Sequence, residues 1–363
     1  MTSPASPSPT PPSAVVVDPA DLTPTWLTAV LGRPVTGATL ERVGTGQIGT
    51  CYRLTLESPT APGGTERIVA KLPAPDPGLR EMLAGAYRGE VRFYSELAAT
   101  VAVRAPAAHH VAMTPGTGDF TLLLEDLAPW RPGDQLAGCT VAQARDAAVN
   151  LAGLHGPRWC DPALLDVEGV SINGPADAAL LAEVYAPAVE TFASELDGLL
   201  EPADVQVLRR SAEVIEAWAL ARAQRFALVH GDYRLDNLMF PDDGSPGVCA
   251  VDWQTLSLAL PARDVAYLVA TSLAEEERRA HEDALVADYH AALLGYGVED
   301  HDLAQCREDY RFSMLQGPLV AVLGCVYGTR TDRGDQMFAA MVRRCCSAIR
   351  DLDTFDLVPA TRG

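Results

Sequence analysis

Hydrophobic positions change rhythm along this chain. In residues 51–56, Cys51, Arg53 and Thr55 alternate with Tyr52, Leu54 and Leu56, the period of two that predicts a strand with one buried face. Two apolar runs follow, I-V-A-K-L ending at the cation Lys71 and T-L-L-L-E-D-L over residues 121–127; both read as strands. Residues 81–99 instead repeat apolar side chains every three or four positions, which predicts a helix. So do residues 141–155, 176–200, 203–226, 275–295, 301–326 and 334–352, the 275 segment opening on glutamates as a helix dipole favours. A short helix is expected after Asp21, with Pro24 in its first turn and Gly32 and Pro34 ending it. Residues 1–14, made mostly of Pro, Ser, Thr and Ala, read as a disordered tail. Strands thus crowd the first third and helices the remainder, an α+β arrangement with a boundary near Ala128.

Composition narrows the class. At 363 residues and 48% hydrophobic content the chain can bury a large core in two lobes. No apolar run reaches the length of a membrane span, and the N-terminus lacks the basic-then-apolar pattern of a secretory signal. Eight cysteines without C-x-x-C spacing suit a reducing, cytoplasmic setting. A net charge of −20 argues against nucleic acid as a partner. Oligomeric state has no signature here.

The chemistry gathers where apolar runs end on acids and amides. Residues 228–240 read L-V-H-G-D-Y-R-L-D-N-L-M-F, and residues 248–254 read V-C-A-V-D-W-Q. A carboxylate at the end of such a run needs a partner or a task. Asp232, Asn237 and Asp252 offer hard oxygens, which suit Mg²⁺ held beside substrate phosphates; turn-capping Asp and Asn would satisfy the same pattern. Of the 28 basic residues a single one, Lys71, is lysine, a compact point charge where arginine is otherwise the rule. Upstream lies G-T-G-Q-I-G, with Gly44, Gly46 and Gly49. The same string opens dinucleotide-binding folds, but there a helix follows; here a strand follows.

Taken in order, these features resemble the protein-kinase-like small-molecule phosphotransferases: aminoglycoside phosphotransferases, choline kinases and ecdysteroid-kinase-like proteins. The glycine loop, Lys71, a helix glutamate, a strand running into acids, H-G-D-x-x-x-x-N and a D-x-x follow one another as in that family, over roughly residues 40–350. The resemblance implies a bilobal protein-kinase-like fold, with a β-rich N-lobe over residues 15–127 and a mainly helical C-lobe over residues 128–363. It implies ATP and Mg²⁺, and a small-molecule hydroxyl as acceptor. Asp232 would orient and deprotonate that hydroxyl, and Asn237 and Asp252 would hold the metal. Lys71 would take the α/β-phosphates, braced by Glu90, with Glu81 and Glu96 as rivals. The backbone of Gly44, Gly46 and Gly49 would cover the phosphates. Backbone groups from Glu125 to Leu127 would read the nucleotide base, which leaves ATP and GTP undistinguished. Arg234 either touches the transferred phosphate or pairs with Asp236. His230 would brace the loop, and Asp264 would cap a helix and tie the loop down. His109, His110 and His155, outside any metal or triad spacing, read as structural.

On the acceptor side the resemblance points to the C-terminal helices, with Tyr310, Gln316, Tyr327, Arg330, Asp332 and Asp335 as candidates. The stretches G-P-R-W-C-D-P and L-L-L-E-D-L resemble actinobacterial proteins grouped with ecdysteroid-kinase-like and acyl-CoA-dehydrogenase-associated phosphotransferases. Aminoglycoside-like, sterol-like and hydroxyacyl acceptors all remain open. Two other classes fit less of the chain: a catalytically silent nucleotide-binding pseudokinase or regulatory module, and a nicotinamide oxidoreductase resting on the glycines alone.

Overall fold

The computed structural model describes residues 13–44 and 48–360. Its strands are β1 (Gly37–Val43), β2 (Gly49–Glu57), β3 (Thr65–Pro73), β4 (Ala108–Met113), β5 (Phe120–Glu125), β6 (Arg131–Pro132), β7 (Ala227–Val229), β8 (Leu238–Phe240), β9 (Cys249–Ala250) and β10 (Ser257–Ala259). Its helices are α1 (Pro24–Leu31), α2 (Pro77–Met82), α3 (Ala84–Arg92), α4 (Val141–His155), α5 (Pro175–Glu195), α6 (Pro202–Leu220), α7 (Ala262–Ser272), α8 (Glu275–Gly295), α9 (Leu303–Phe312), α10 (Gln316–Tyr327) and α11 (Asp332–Asp351). The chain divides into two compact units, one holding the residues up to Ser95 with Pro106–Asp126, the other Glu96–Ala105 with the residues from Leu127 onward. No helix among the described residues is long and apolar enough to cross a membrane.

The first unit is an antiparallel sheet in the order β1-β2-β3-β5-β4. Its core follows from period two: Leu54 and Leu56 of β2, and Ile68, Ala70 and Leu72 of β3, point the same way and pack with Trp26 and Leu27 of α1. Each of the larger apolar side chains contributes about 1.5–3 kcal/mol by leaving water. The alternation leaves Lys71 on the other side of its strand. Thr23 caps α1 by accepting the Trp26 N–H at 3.3 Å, and Gly32, left-handed at φ 65°, ends it. Of the expected tail, residues 1–12 lie outside the described residues. Ser13, however, is tied down, because its carbonyl accepts the Trp26 indole N–H at 2.7 Å.

The expected helix over residues 81–99 is two helices. Asp76 caps α2 one turn earlier than the apolar pattern suggested, and a bend at Leu83 (φ −89°, ψ 0°) restarts the chain as α3. The restart turns Ala84, Tyr87 and Glu90 inward together. The wider turn Phe93–Leu97 follows.

In the second unit, residues 96–105 run with the helices. The Ala102 N–H donates to Gly153 O at 2.8 Å, the Arg104 N–H to Asn150 Oδ1 at 2.7 Å, and the Ala250 N–H to Arg104 O at 2.8 Å. Three small strands, β6-β8-β9, and the pair β7-β10 are set among the helices. The predicted helix over 301–326 breaks into α9 and α10: Pro318 has no N–H to give the carbonyl four residues back, so it is accommodated only in a fresh first turn. The helix expected to reach residue 226 stops at Leu220, since Ala221 is extended and Arg222 left-handed at φ 62°.

Candidate active site

The loop from His230 to Asn237 joins β7 to β8, and Asp252 lies two residues past the end of β9. The Val251 N–H donates to Asn237 O at 3.0 Å, so the two ends that carry Asn237 and Asp252 run side by side. Gly231 makes the turn possible: its φ is +82°, and a Cβ there would sit 2.7 Å from Thr255 O. Any other residue would meet both strain and a backbone clash.

Asp264, fully buried, holds this loop by its backbone. Its carboxylate accepts the His230 N–H at 2.6 Å, the Gly231 N–H at 3.0 Å and His155 Nε2 at 3.3 Å. It does not cap α7; the residue before that helix is Pro261, without a side-chain cap, and the carboxylate points to the loop instead. His155 Nδ1 lies 2.8 Å from the Tyr289 hydroxyl. The Asp264 carboxylate can only accept, so a His155 proton lies on Nε2 facing it. Asp264→Ala orphans two buried N–H groups and is expected to lower unfolding free energy by at least about 2 kcal/mol, read by urea titration. An unchanged midpoint would contradict that anchoring role.

The Asp232 carboxylate is held on both oxygens. Tyr267 donates to Oδ1 at 2.8 Å, Asn237 Nδ2 to Oδ2 at 2.9 Å, and Arg234 Nε approaches at 3.2 Å. Asn237 Nδ2 also reaches the Asp232 carbonyl at 2.9 Å. This leaves the Asn237 amide oxygen as its hard donor. Asp252 takes a left-handed backbone, φ 68°, a conformation Asp tolerates better than most residues. An amide oxygen and a carboxylate form the donor set magnesium takes when phosphates complete its shell, so these residues fit that ion.

Arg234 also donates to Asp236 Oδ2 at 3.0 Å and to Met337 Sδ at 3.2 Å. Burial opposes its charge, yet Asp232, Tyr267 and Asp236 together raise it above its ordinary value. His230 braces the turn through its ring: Nδ1 accepts the Asp232 N–H at 3.3 Å, and Nε2 reaches Val251 O at 3.1 Å.

Two further residues shape this loop without any sign in the sequence. Gln135, fully buried, accepts the Leu235 N–H on Oε1 at 2.7 Å and donates Nε2 to Thr271 O at 3.0 Å. It lies in a stretch that reads only as loop. Tyr267 lies in an apolar helix where an aromatic ring reads as core.

Of the acceptor-side candidates, Gln316 is at the loop, with Nε2 on Gly231 O at 3.2 Å. Arg330 pairs with Asp335 at 2.6 Å and with Glu195, and Asp332 is exposed at the start of α11. Tyr327 is exposed and Tyr310 is buried on Glu282 at 2.9 Å; neither touches the loop.

In the first unit, Lys71 Nζ lies 2.6 Å from Glu90 Oε2 and 2.8 Å from Oε1, with Lys71 9% and Glu90 1% exposed. Glu81 and Glu96 are exposed. Gly44 is left-handed at φ 74°, and at Gly49 a Cβ would meet Leu72 O at 2.9 Å. Gly46 lies outside the described residues. Tyr87 fixes the strand side of this loop: its hydroxyl donates to Ile48 O and accepts the Ala74 N–H at 3.1 Å. Burial raises that phenol above its ordinary value, keeping it a donor. Glu125 closes β5, with its N–H on Ala107 O at 2.8 Å and Oε2 taking the Ala107 N–H at 3.0 Å. In the second unit Leu127 O accepts the Trp130 N–H at 2.8 Å.

The model of the phosphotransferase enzyme family, APH, matches residues 39–302. A segment is 48% identical over 48 residues to acyl-CoA dehydrogenase family member 10 of Mus musculus, covering 13% of this chain and only 4% of that protein's length. Among solved structures, a putative aminoglycoside phosphotransferase from Ralstonia eutropha is similar with a TM-score of 0.54 at 17% identity, covering 91% of this chain and 96% of that one. Choline kinase from Cryptosporidium parvum gives 0.54 at 10% identity, covering 89% and 92%. These likenesses are of fold, the bilobal protein-kinase-like architecture with a sheet unit and a helical unit. The chain belongs to the phosphotransferase enzyme family.

Proposed function

We propose that the protein is an ATP- and Mg²⁺-dependent O-phosphotransferase acting on a small-molecule hydroxyl. The observation that carries the nucleotide dependence is the buried Lys71–Glu90 pair. A cation is held there in a fixed position by an acid that water does not reach, as an α/β-phosphate clamp requires. The solved GDP complex of an aminoglycoside 2'-phosphotransferase, with a TM-score of 0.50, supports a nucleotide as donor. Asn237 and Asp252 would hold the magnesium, which supplies charge neutralisation on the phosphates when bound. Backbone N–H groups about Gly44 and Gly49 would cover the phosphates, and backbone groups at Glu125 and Leu127 would meet the base.

Asp232 orients the acceptor. The acceptor oxygen forms a bond to the γ-phosphorus as the bond to the bridging oxygen breaks, ADP leaves with that electron pair, and the hydroxyl proton passes to Asp232. Arg234 stays with Asp232 and Asp236 in this reading and faces the phosphoryl group with what donor capacity remains.

Asp232 and Asp236 share Arg234, and Asp335 and Glu195 share Arg330, so each group keeps one net negative charge, which suits a cationic acceptor such as an aminoglycoside as well as a neutral sterol-like or hydroxyacyl alcohol. Fluorescence titration with ATP, GTP and NADH, with and without Mg²⁺, tests the nucleotide reading. Mg²⁺-dependent binding of ATP without NADH binding is expected; NADH binding with no effect of ATP would overturn it.

A further inference from the structure

We propose that Tyr267 is a positioning residue for phosphoryl transfer, fixing the plane of the Asp232 carboxylate; the inference rests on the reading that Asp232 handles the acceptor hydroxyl. The phenol lies on α7, whose residues are all buried, and is itself 1% exposed. It spends its donor on Asp232 Oδ1 at 2.8 Å, although a buried hydroxyl could as well meet a carbonyl. A bond to an ionised acceptor is the stronger use of that proton. One turn earlier on the same helix, Asp264 holds the loop's backbone at His230 and Gly231. A single rigid helix thus registers both the main chain and the side chain of the loop.

Three donors share the carboxylate, and they differ in kind. Asn237 takes Oδ2, and Arg234 straddles at 3.2 Å from each oxygen. Arg234 moves with the loop that carries Asp232, whereas Tyr267 is anchored elsewhere in the fold. The phenol adds no charge, so Asp232 keeps the negative charge that receives a proton. Burial, then the Asp232 charge, holds the Tyr267 proton well above its ordinary value, so the group is a neutral donor near neutral pH. The titratable or charged groups that face the pair are His230, Arg234 and Asp236 from the loop and Cys345 from α11.

Removing the hydroxyl leaves Oδ1 with Arg234, which moves with the same loop, in place of a donor anchored on α7. Tyr267→Phe is expected to lower kcat about ten- to a hundredfold, with ATP affinity and melting temperature unchanged. The KM for the acceptor should stay at the wild-type level, since a loss of positioning falls on kcat. Replacement of Tyr267 by 3,5-difluorotyrosine, a donor of the same shape, should keep kcat. Turnover would be measured with ATP–Mg²⁺, using water as acceptor and then an aminoglycoside, choline, a sterol and a hydroxyacyl thioester.

A phenylalanine variant with wild-type kcat would overturn the proposal, leaving Asp232 in place. So would a kcat loss that tracks a lower melting temperature, or one that the difluorotyrosine variant shows equally. A wild-type enzyme that transfers no phosphoryl group to any of these acceptors removes the Asp232 role, and this proposal with it.

Discussion

Asp232→Asn is expected to lower phosphoryl turnover by about 10²–10⁴-fold, the range general-base groups supply, while nucleotide binding stays at the wild-type level. The substitution changes little in shape. It removes the anion that Tyr267, Asn237 and Arg234 converge on, which in the proposed mechanism accepts the hydroxyl proton. An amide at that position must also turn one N–H₂ toward one of those donors, so some loosening of the loop is expected. Separate measurement of kcat and ATP affinity distinguishes the outcomes. Lost binding with lost turnover would mean that the loop had collapsed; turnover at the wild-type rate would remove Asp232 from the chemistry.

The second large effect is at Lys71. Lys71→Met keeps the length of the side chain but deletes the cation and leaves Glu90, 1% exposed, without it. A buried pair broken on one side costs about 3–5 kcal/mol, so a lower unfolding midpoint is expected alongside the catalytic loss. Removing one electrostatic donor from a transition state typically costs about 10²–10³ in kcat. The double variant Lys71→Met with Glu90→Gln separates the two: neutralising the orphaned acid should restore much of the stability and none of the activity. If the double variant recovered turnover, the phosphate-clamp role of Lys71 would be wrong and its role purely structural.

Much of this arrangement is local and therefore readable from sequence. The strand–loop–strand about Gly44 and Gly49 shows in the period of two after the last glycine, because that period decides which face of β2 is buried. Lys71 stands out because it is the only lysine, and Glu90 because it lies mid-helix where the resemblance calls for a partner to that lysine, with Glu81 and Glu96 as rivals until α3 turned Glu90 inward. Asp232, Asn237 and Asp252 are visible because carboxylates and amides end apolar runs, an arrangement that core packing alone does not ask for.

What was not readable depends on contacts distant in the chain. Tyr267 sits among eleven consecutive buried residues of α7, where nothing separates a working hydroxyl from a packed ring. Gln135 lies beside Gly133 in an irregular stretch, and only the fold brings it to Leu235 and Thr271. The extended residues 102–104 read as part of the first lobe, yet their hydrogen bonds go to Gly153, Asn150 and Ala250. The break at Leu83 lies inside an unbroken helical pattern, and the pattern cannot show it because both halves bury the same kind of side chain.

The most direct test of the central claim is mass spectrometry of the products formed by the wild-type protein with ATP–Mg²⁺ and a mixed panel of hydroxyl acceptors. One acceptor heavier by a single phosphoryl group, formed with stoichiometric ADP and not formed by Asp232→Asn, is the predicted result. Tight ATP binding with no phosphorylated acceptor and no ADP would contradict it and make the protein a nucleotide-binding module without turnover.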